Sequence, residues 1–217
     1  MGDILGYVLS SEFGYSILRV TTPILFASLA SVVAERSGAS NIALEGIMLF
    51  AAMFGAVASG LSGSLWLGFA AALAGGLVIA LALAYFALYL KTDIILAGIA
   101  LNALAGGGTV FIMYAIIGDK GSTSSLASKV FPKLDIPLVR GIPVAGKILS
   151  GQNALTYVAF AMVVLVWVLL FRTRLGMRMR AVGENPNAAA SVGIRLNRNK
   201  LEALVLSGIL ARLGGAV

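Results

Sequence analysis

The 217-residue sequence contains neither cysteine nor histidine. The first absence excludes disulfides and thiol nucleophiles, and the second removes the commonest catalytic base and metal ligand, so cysteine and histidine metal chemistry is set aside. Charge is also scarce. Charged residues make up 12% of the chain, against roughly 25% in an ordinary soluble domain. No G-x-x-x-x-G-K-[ST] loop is present to cradle nucleotide phosphates, so ATP hydrolysis is not expected in this chain. The first fifteen residues carry Asp3 and Glu12 but no lysine or arginine, and so lack the basic start and cleavage site of a signal peptide. What fills the sequence instead is apolar: 59% hydrophobic residues and a mean hydropathy of +0.98. A bilayer is the solvent that suits such a composition. The net charge of +7 then marks membrane sidedness rather than a nucleic-acid surface, and no nucleic-acid partner is expected.

Six apolar stretches stand out, approximately Ile17–Ala34, Ile42–Gly60, Leu65–Leu90, Ile94–Ile117, Leu155–Phe171 and Leu201–Val217. Most approach the ~20 residues that a helix needs to cross the hydrocarbon, and none shows the alternating polarity of a membrane barrel strand. The expected fold is all-α, a polytopic transmembrane helical bundle in a single domain over 1–217. Between Arg172 and Lys200 lie Arg174, Arg178, Arg180, Arg195 and Arg198, with Glu184 the one acid, which places 172–200 in the cytoplasm. Counting back puts Lys91–Asp93 and Glu35–Arg36 inside, and the N-terminus and the long 118–151 connection outside. That connection carries Lys120, Lys129, Lys133, Arg140 and Lys147, but long loops obey the positive-inside rule loosely. The last stretch holds Arg212 and reaches Val217 without polar flanks, so a chain cut short at its C-terminus is expected.

Small residues recur at every fourth position of the third stretch, at Gly68, Ala72, Gly76, Ala80 and Ala84, predicting one helix face that admits a close neighbour. Gly106–Gly108 in the fourth stretch either loosen that helix or admit a neighbour of their own. Polar side chains in or beside the spans are few. Asn41 and Glu45 lie four apart, as on one face of the second helix, and Asn102 sits inside the fourth; these three are the candidate translocation-pathway residues. A structural alternative has Glu45 pairing with Arg36 or capping backbone amides.

Within the cytoplasmic segment, Asn185 suits a helix N-cap, Pro186 the first helical position and Gly193 the left-handed residue past the end, so Pro186–Val192 reads as a short helix. Two turns are unstable alone in water and need packing from elsewhere. Its alanines offer a small apolar surface to a cytosolic partner; an ordinary structured loop carrying positive-inside charge is the alternative.

The run Arg180-Ala-Val-Gly-Glu-Asn-Pro, continuing through Ala189, Ala190 and Val192-Gly-Ile194, and then Leu206-Ser-Gly, resembles the coupling-helix region of ABC importer permeases of the branched-chain amino acid, ribose and nucleoside type. Two further stretches are similar to the nucleoside or simple-sugar subgroup: Thr22-Pro-Ile-Leu-Phe-Ala with Glu35-Arg-Ser-Gly and Asn41-Ile-Ala-Leu-Glu-Gly46, and Phe131-Pro-Lys-Leu-Asp-Ile-Pro-Leu with Ile142-Pro and Gly151-Gln-Asn153. Together they span most of the chain. The resemblance implies a multi-pass protein of a prokaryotic cytoplasmic membrane that moves a small polar solute, a nucleoside or simple sugar. Its short cytoplasmic coupling helix would dock on a separate ABC ATPase, which binds ATP and Mg; no cofactor is implied in this chain. A second permease subunit and an extracytoplasmic substrate-binding protein are the other implied partners. The coupling residues carried over are Arg180, Gly183, Glu184, Asn185, Pro186, Ala189, Ala190, Gly193 and Ile194. Arg212 departs from the pattern, standing where a small residue is expected. The rival function is an ion-coupled secondary transporter, for which Glu45 would supply the intramembrane acid.

Overall fold

A computed structural model describes residues 11–118, 131–134 and 150–217. Most of the 118–151 connection and the first ten residues lie outside the described set. The chain forms helices α1 (Ser11–Glu35), α2 (Leu44–Ser62), α3 (Leu65–Ala84, continued by a π turn over Tyr85–Tyr89), α4 (Ile94–Ile117), α5 (Ala154–Arg172), α6 (Arg174–Glu184), α7 (Pro186–Ser191) and α8 (Leu196–Gly215). A two-residue antiparallel ladder joins β1 (Lys133–Leu134) to β2 (Gln152–Asn153). Among the described residues, five helices are long and apolar enough to cross a membrane: Glu12–Glu35, Leu44–Ser62, Leu65–Tyr89, Ile94–Ile117 and Ala154–Arg172. The architecture is the polytopic helical bundle expected, because a chain in hydrocarbon must satisfy its backbone within each segment.

Helix ends follow local chemistry. The Asp93 carboxylate accepts from the Ile95 and Leu96 amides at 2.8 and 3.2 Å, and the Asn153 side chain accepts from Leu155 N at 3.0 Å. Gly63 and Gly118 close α2 and α4 in the left-handed conformation, at φ 62° and 82°.

The centre of the bundle is α8, which packs against α1, α2 and α3. It starts at Leu196, five positions ahead of the apolar stretch read from the sequence, because Asn199 turns inward and is buried. A helix enclosed by other helices needs no lipid-compatible surface, so α8 tolerates a more polar sequence than the five above.

The small-residue face of α3 is realised as expected. Gly68, Ala72, Gly76, Ala80 and Ala84 are all buried, and α2 and α8 press on them. A Cβ on Gly68 would stand 2.6 Å from Ser59 Cβ, and one on Gly208 of α8 would stand 2.8 Å from Ala80 Cβ. Gly106–Gly108 behave differently. Helix α4 runs through them without interruption, so they do not loosen it, and a Cβ on Gly106 or Gly107 would meet nothing within 4 Å among the described residues.

Contacts sort the connections onto two ends. At one, Tyr15 Oη donates to the Gly151 carbonyl at 2.8 Å, Gln152 Nε2 donates to the Tyr15 carbonyl at 3.0 Å, and the Phe69 and Phe131 rings meet edge-on at 5.4 Å. At the other, the turn after α1 packs on α6. The start of α1 and the described ends of the 118–151 connection thus lie at the opposite end of the bundle from α6.

Candidate coupling surface and the buried joint behind it

The 172–200 segment is built on glycine contacts. Thr173 begins α6, its hydroxyl accepting from Gly176 N at 3.2 Å and donating to the Leu169 carbonyl at 2.6 Å. A Cβ on Gly176 would collide with that same carbonyl, so glycine lets α6 fold back on the end of α5. At the other end of α6, a Cβ on Gly183 would collide with the Arg36 carbonyl and come within 3.1 Å of the Gly38 amide nitrogen. Gly38 itself sits at φ +67°, where glycine carries no steric penalty. Between the two clamps, Met179 and Val182 are fully buried. The Arg180 guanidinium lies over the Phe171 ring at 4.8 Å, a cation–π contact that leaves its buried Nε without a hydrogen-bond partner among the described residues.

Helix α7 stands on this platform. Asn185 caps it, accepting from Ala188 N at 3.0 Å, with Pro186 at its first position. It ends in a Schellman arrangement: Gly193 N donates to the Ala190 carbonyl at 2.9 Å and Ile194 N to the Ala189 carbonyl at 3.1 Å, with Gly193 at φ +83°. Ala189 is buried and anchors the helix, while Pro186, Asn187, Ala188 and Ala190 face outward, as does Glu184 just before it. Two helical turns that would not hold alone are thus fixed by their caps and one buried alanine.

Behind the platform, the connection from α1 to α2 is not a surface loop. Ser37, Ala39, Asn41 and Ala43 are buried. Non-helical backbone inside a bundle needs its polar groups answered by protein, and here a side-chain bond to α8 and a two-bond clamp from α4 hold the connection. Asn41 Nδ2 donates to Ser207 Oγ of α8 at 2.9 Å. Asn102 of α4 makes two bonds at 2.8 Å, accepting from Gly46 N and donating to the Ile42 carbonyl. Ala43 offers α2 no side-chain cap, so Asn102 supplies one from the neighbouring helix. Asn102 lies about 12 Å along α4 from its first residue, so α2 begins well inside the bundle. Gly98, one turn earlier, lets the two segments approach; its Cβ would stand 2.6 Å from Ile42 Cβ.

Comparison with known proteins identifies the architecture. Residues 15–217 match the family described as the permease component of branched-chain amino acid transport systems. The chain belongs to this permease family. It is similar to the nucleoside ABC transporter permease protein NupC of Lactococcus lactis, 35% identical over 93% of this chain and 65% of the relative. It also resembles the guanosine ABC transporter permease protein NupQ of Bacillus subtilis, 36% identical over 92% of this chain and 64% of the relative. The putative glucose ABC transporter permease protein TsgC13 of Haloferax volcanii is 30% identical over 92% and 60%. The chain spans just under two thirds of the length of these curated relatives. No solved structure matches. The permease is a multi-pass protein of the cytoplasmic membrane, in keeping with its five apolar helices.

In this permease the nine coupling candidates fall in one continuous surface feature, with Arg180 and Gly183 holding α6 and the others forming or flanking α7. The three pathway candidates separate. Asn41 and Glu45 do not share a helix face, because α2 starts only at Leu44: Asn41 is buried in the connection and Glu45 is exposed on the first turn. Nor does Glu45 pair with Arg36, since the one ion pair among the described residues is Arg198–Glu202 at 2.9 Å. Asn102 braces backbone, and Asn41 bonds the Ser207 hydroxyl of α8.

Sequence reading missed Gly98 and Gly176, and it quoted Ser207 in a motif without its contact to Asn41, which is remote in the chain. It also left Arg212 unexplained. The stem of Arg212 lies on the bare backbone of Gly76, its Nε donates to the Gly208 carbonyl at 3.0 Å and a terminal nitrogen donates to the Leu73 carbonyl at 2.7 Å. The glycine on α3 makes room for the arginine on α8.

Proposed function

We propose that this permease is the membrane subunit of an ATP-driven importer for a small polar solute, a nucleoside or simple sugar, and that α7 is the element a separate ATPase grips. The observation that carries the reading is the construction of α7: a capped, outward-facing two-turn helix mounted on α6, whose own ends are wedged against α5 at Gly176 and against the Arg36–Gly38 turn at Gly183. Closure of an ATPase pair that binds ATP and Mg would push α7, and the Gly183 contact would pass the push to the α1–α2 connection. That connection is held in turn by Asn102 of α4 and Ser207 of α8, so force applied at α7 reaches several membrane helices. The names of the relatives support the solute class, two of them being nucleoside or guanosine permeases and one a glucose permease.

A second permease subunit would complete the pathway, and an extracytoplasmic binding protein would deliver solute to the outer face. Glu45, exposed on the first turn of α2, is the pathway residue assigned to the shared channel, with Asn41 and Asn102 shaping the backbone behind it. The test is uptake of radiolabelled guanosine and glucose by the intact transporter, with capture of the ATPase measured in parallel. Gly183→Val should abolish uptake while the permease still inserts in the membrane, and Glu45→Gln should slow uptake without affecting ATPase capture. Normal uptake by the Gly183 variant would remove the coupling assignment. Uptake that follows an ion gradient and needs no ATPase would replace the reading with a secondary transporter.

A further inference from the structure

Beside α7, on the cytoplasmic side, a groove of about 540 Å³ runs between α6 and the start of α8. Arg174 and Arg178, one helical turn apart on α6, line one wall; Arg195 and Arg198 line the other. Only Arg198 has a carboxylate partner, Glu202, and it is 70% exposed. Arg174, Arg178 and Arg195 make no ion pair among the described residues, and Glu202, held by Arg198, is the one carboxylate lining the groove, so cationic groups outnumber it four to one. At the base lies Asn199, only 6% exposed. Its Nδ2 donates to the Arg195 carbonyl at 3.1 Å, while its buried Oδ1 has no donor. A ligand suited to this groove presents an anion to the arginines and a hydrogen-bond donor to Asn199.

The level of the groove in the membrane narrows the choice. Trp167 and Phe171 are half-exposed on the last turns of α5, and the Arg172 guanidinium sits over the Trp167 ring at 5.7 Å. Exposed aromatic rings beside a terminal arginine mark the boundary between hydrocarbon and water. Arg174 follows two residues later, which puts the groove at headgroup depth. Its surroundings are apolar where they meet the lipid: Met177, 60% exposed, lies between the two α6 arginines in sequence and borders an adjoining opening that Arg174, Arg178 and Ile194 also line.

We propose that this groove holds the headgroup of an anionic inner-leaflet phospholipid, the arginines binding its phosphodiester and Asn199 Oδ1 accepting from a headgroup hydroxyl. A glycerol headgroup has the required phosphate and hydroxyl together. Inorganic phosphate shares the anion chemistry and is the other source to be distinguished. The proposal rests on where the groove lies, not on the coupling assignment of α7, and so stands or falls separately from it.

The experiment is native mass spectrometry of the full chain in detergent micelles carrying dioleoylphosphatidylglycerol, phosphatidylmethanol or phosphatidylcholine, with inorganic phosphate as competitor. Phosphatidylglycerol should be retained over phosphatidylcholine, and each arginine removed should lower retention about fivefold, so that Arg174→Gln with Arg178→Gln lowers it about 25-fold. Arg198→Gln should have the smallest effect of the groove arginines. Phosphatidylmethanol, which keeps the charge but lacks the hydroxyl, should bind about fivefold more weakly than phosphatidylglycerol. Arg36→Gln, which removes an exposed charge on the same side of the membrane but outside the groove, should change retention less than twofold. Equal loss with Arg36→Gln would reduce the effect to diffuse surface charge and overturn the site. Displacement by micromolar phosphate would overturn the lipid assignment in favour of the free anion. Unchanged lipid retention together with lost ATPase capture in the double variant would overturn it in favour of an acidic protein surface.

Discussion

Helices α3 and α4 are of similar length and each carries three glycines that look alike in composition, Gly68, Gly75 and Gly76 on one and the run Gly106–Gly108 on the other, beside the buried Gly98; yet the two sets have opposite surroundings. On α3, Gly68, Gly75 and Gly76 are buried against α2 and α8; on α4, Gly106 and Gly107 have nothing within 4 Å and Gly108 only the edge of the Phe50 ring at 4.0 Å. Composition alone does not tell them apart. Spacing does so in part: Gly68 and Gly76 extend, with alanines, into a four-residue repeat over the whole of α3, whereas Gly106–Gly108 are consecutive and so point around the helix rather than along one face. In a bilayer, where lipid tails are as apolar as leucine, helices gain from close approach, and a continuous small face is what permits it.

The largest expected effect comes from filling the α3 face. Gly76→Leu drives a side chain into the Arg212 stem and toward the Ile47 carbonyl, and should cost about 3 kcal/mol, the upper end of the overpacking range. Thermal unfolding in detergent would show it as a markedly lower midpoint, whereas Gly107→Leu should leave the midpoint nearly unchanged. Equal losses at both sites would end the distinction between the two helices. Arg212→Ala sharpens the same point. Alone it should destabilise by about 2 kcal/mol through the void left over Gly76, but in the Gly76→Leu background it should restore stability, because the new leucine takes the space of the lost stem. A double-mutant cycle reads this coupling directly.

Asn102→Leu tests whether α4 contributes by a polar clamp rather than by its glycines. Leaving Gly46 N and the Ile42 carbonyl without their 2.8 Å partners should cost about 1–3 kcal/mol, seen as a lowered unfolding midpoint and faster hydrogen exchange at the start of α2. The smallest effect is expected for Gly107→Ala. With open space around the new methyl, the better helix former should stabilise by less than about 1 kcal/mol, whereas the same change at Gly76 should destabilise.

Local chemistry was the legible part of the candidate site. Asn185, Pro186 and Gly193 bracket α7 as read, since a cap, a first-position proline and a left-handed glycine act within a few residues of one another. The Asn41–Glu45 pairing failed for the opposite reason: it assumed a helix through Asn41, but Asn102 and Ser207 stabilise a buried non-helical connection there, and both come from helices far along the chain. Similarly, the second helix starts at Leu44 rather than Ile42, and the last at Leu196 rather than Leu201.

The sequence by itself determined that this protein lives in a membrane, where five of its apolar helices lie, and that a short capped helix sits among the arginines of 172–200. Each of these follows from composition or from contacts within a turn or two of helix. Only the tertiary structure decided that α8 is the centre of the bundle, that Gly76 accommodates Arg212, that Gly183 rests on the Arg36–Gly38 turn, and that Asn102 caps a helix other than its own. Those outcomes depend on which faces meet, and in an apolar solvent that is settled by shape and by the need to answer every buried polar group, neither of which is written at any single position.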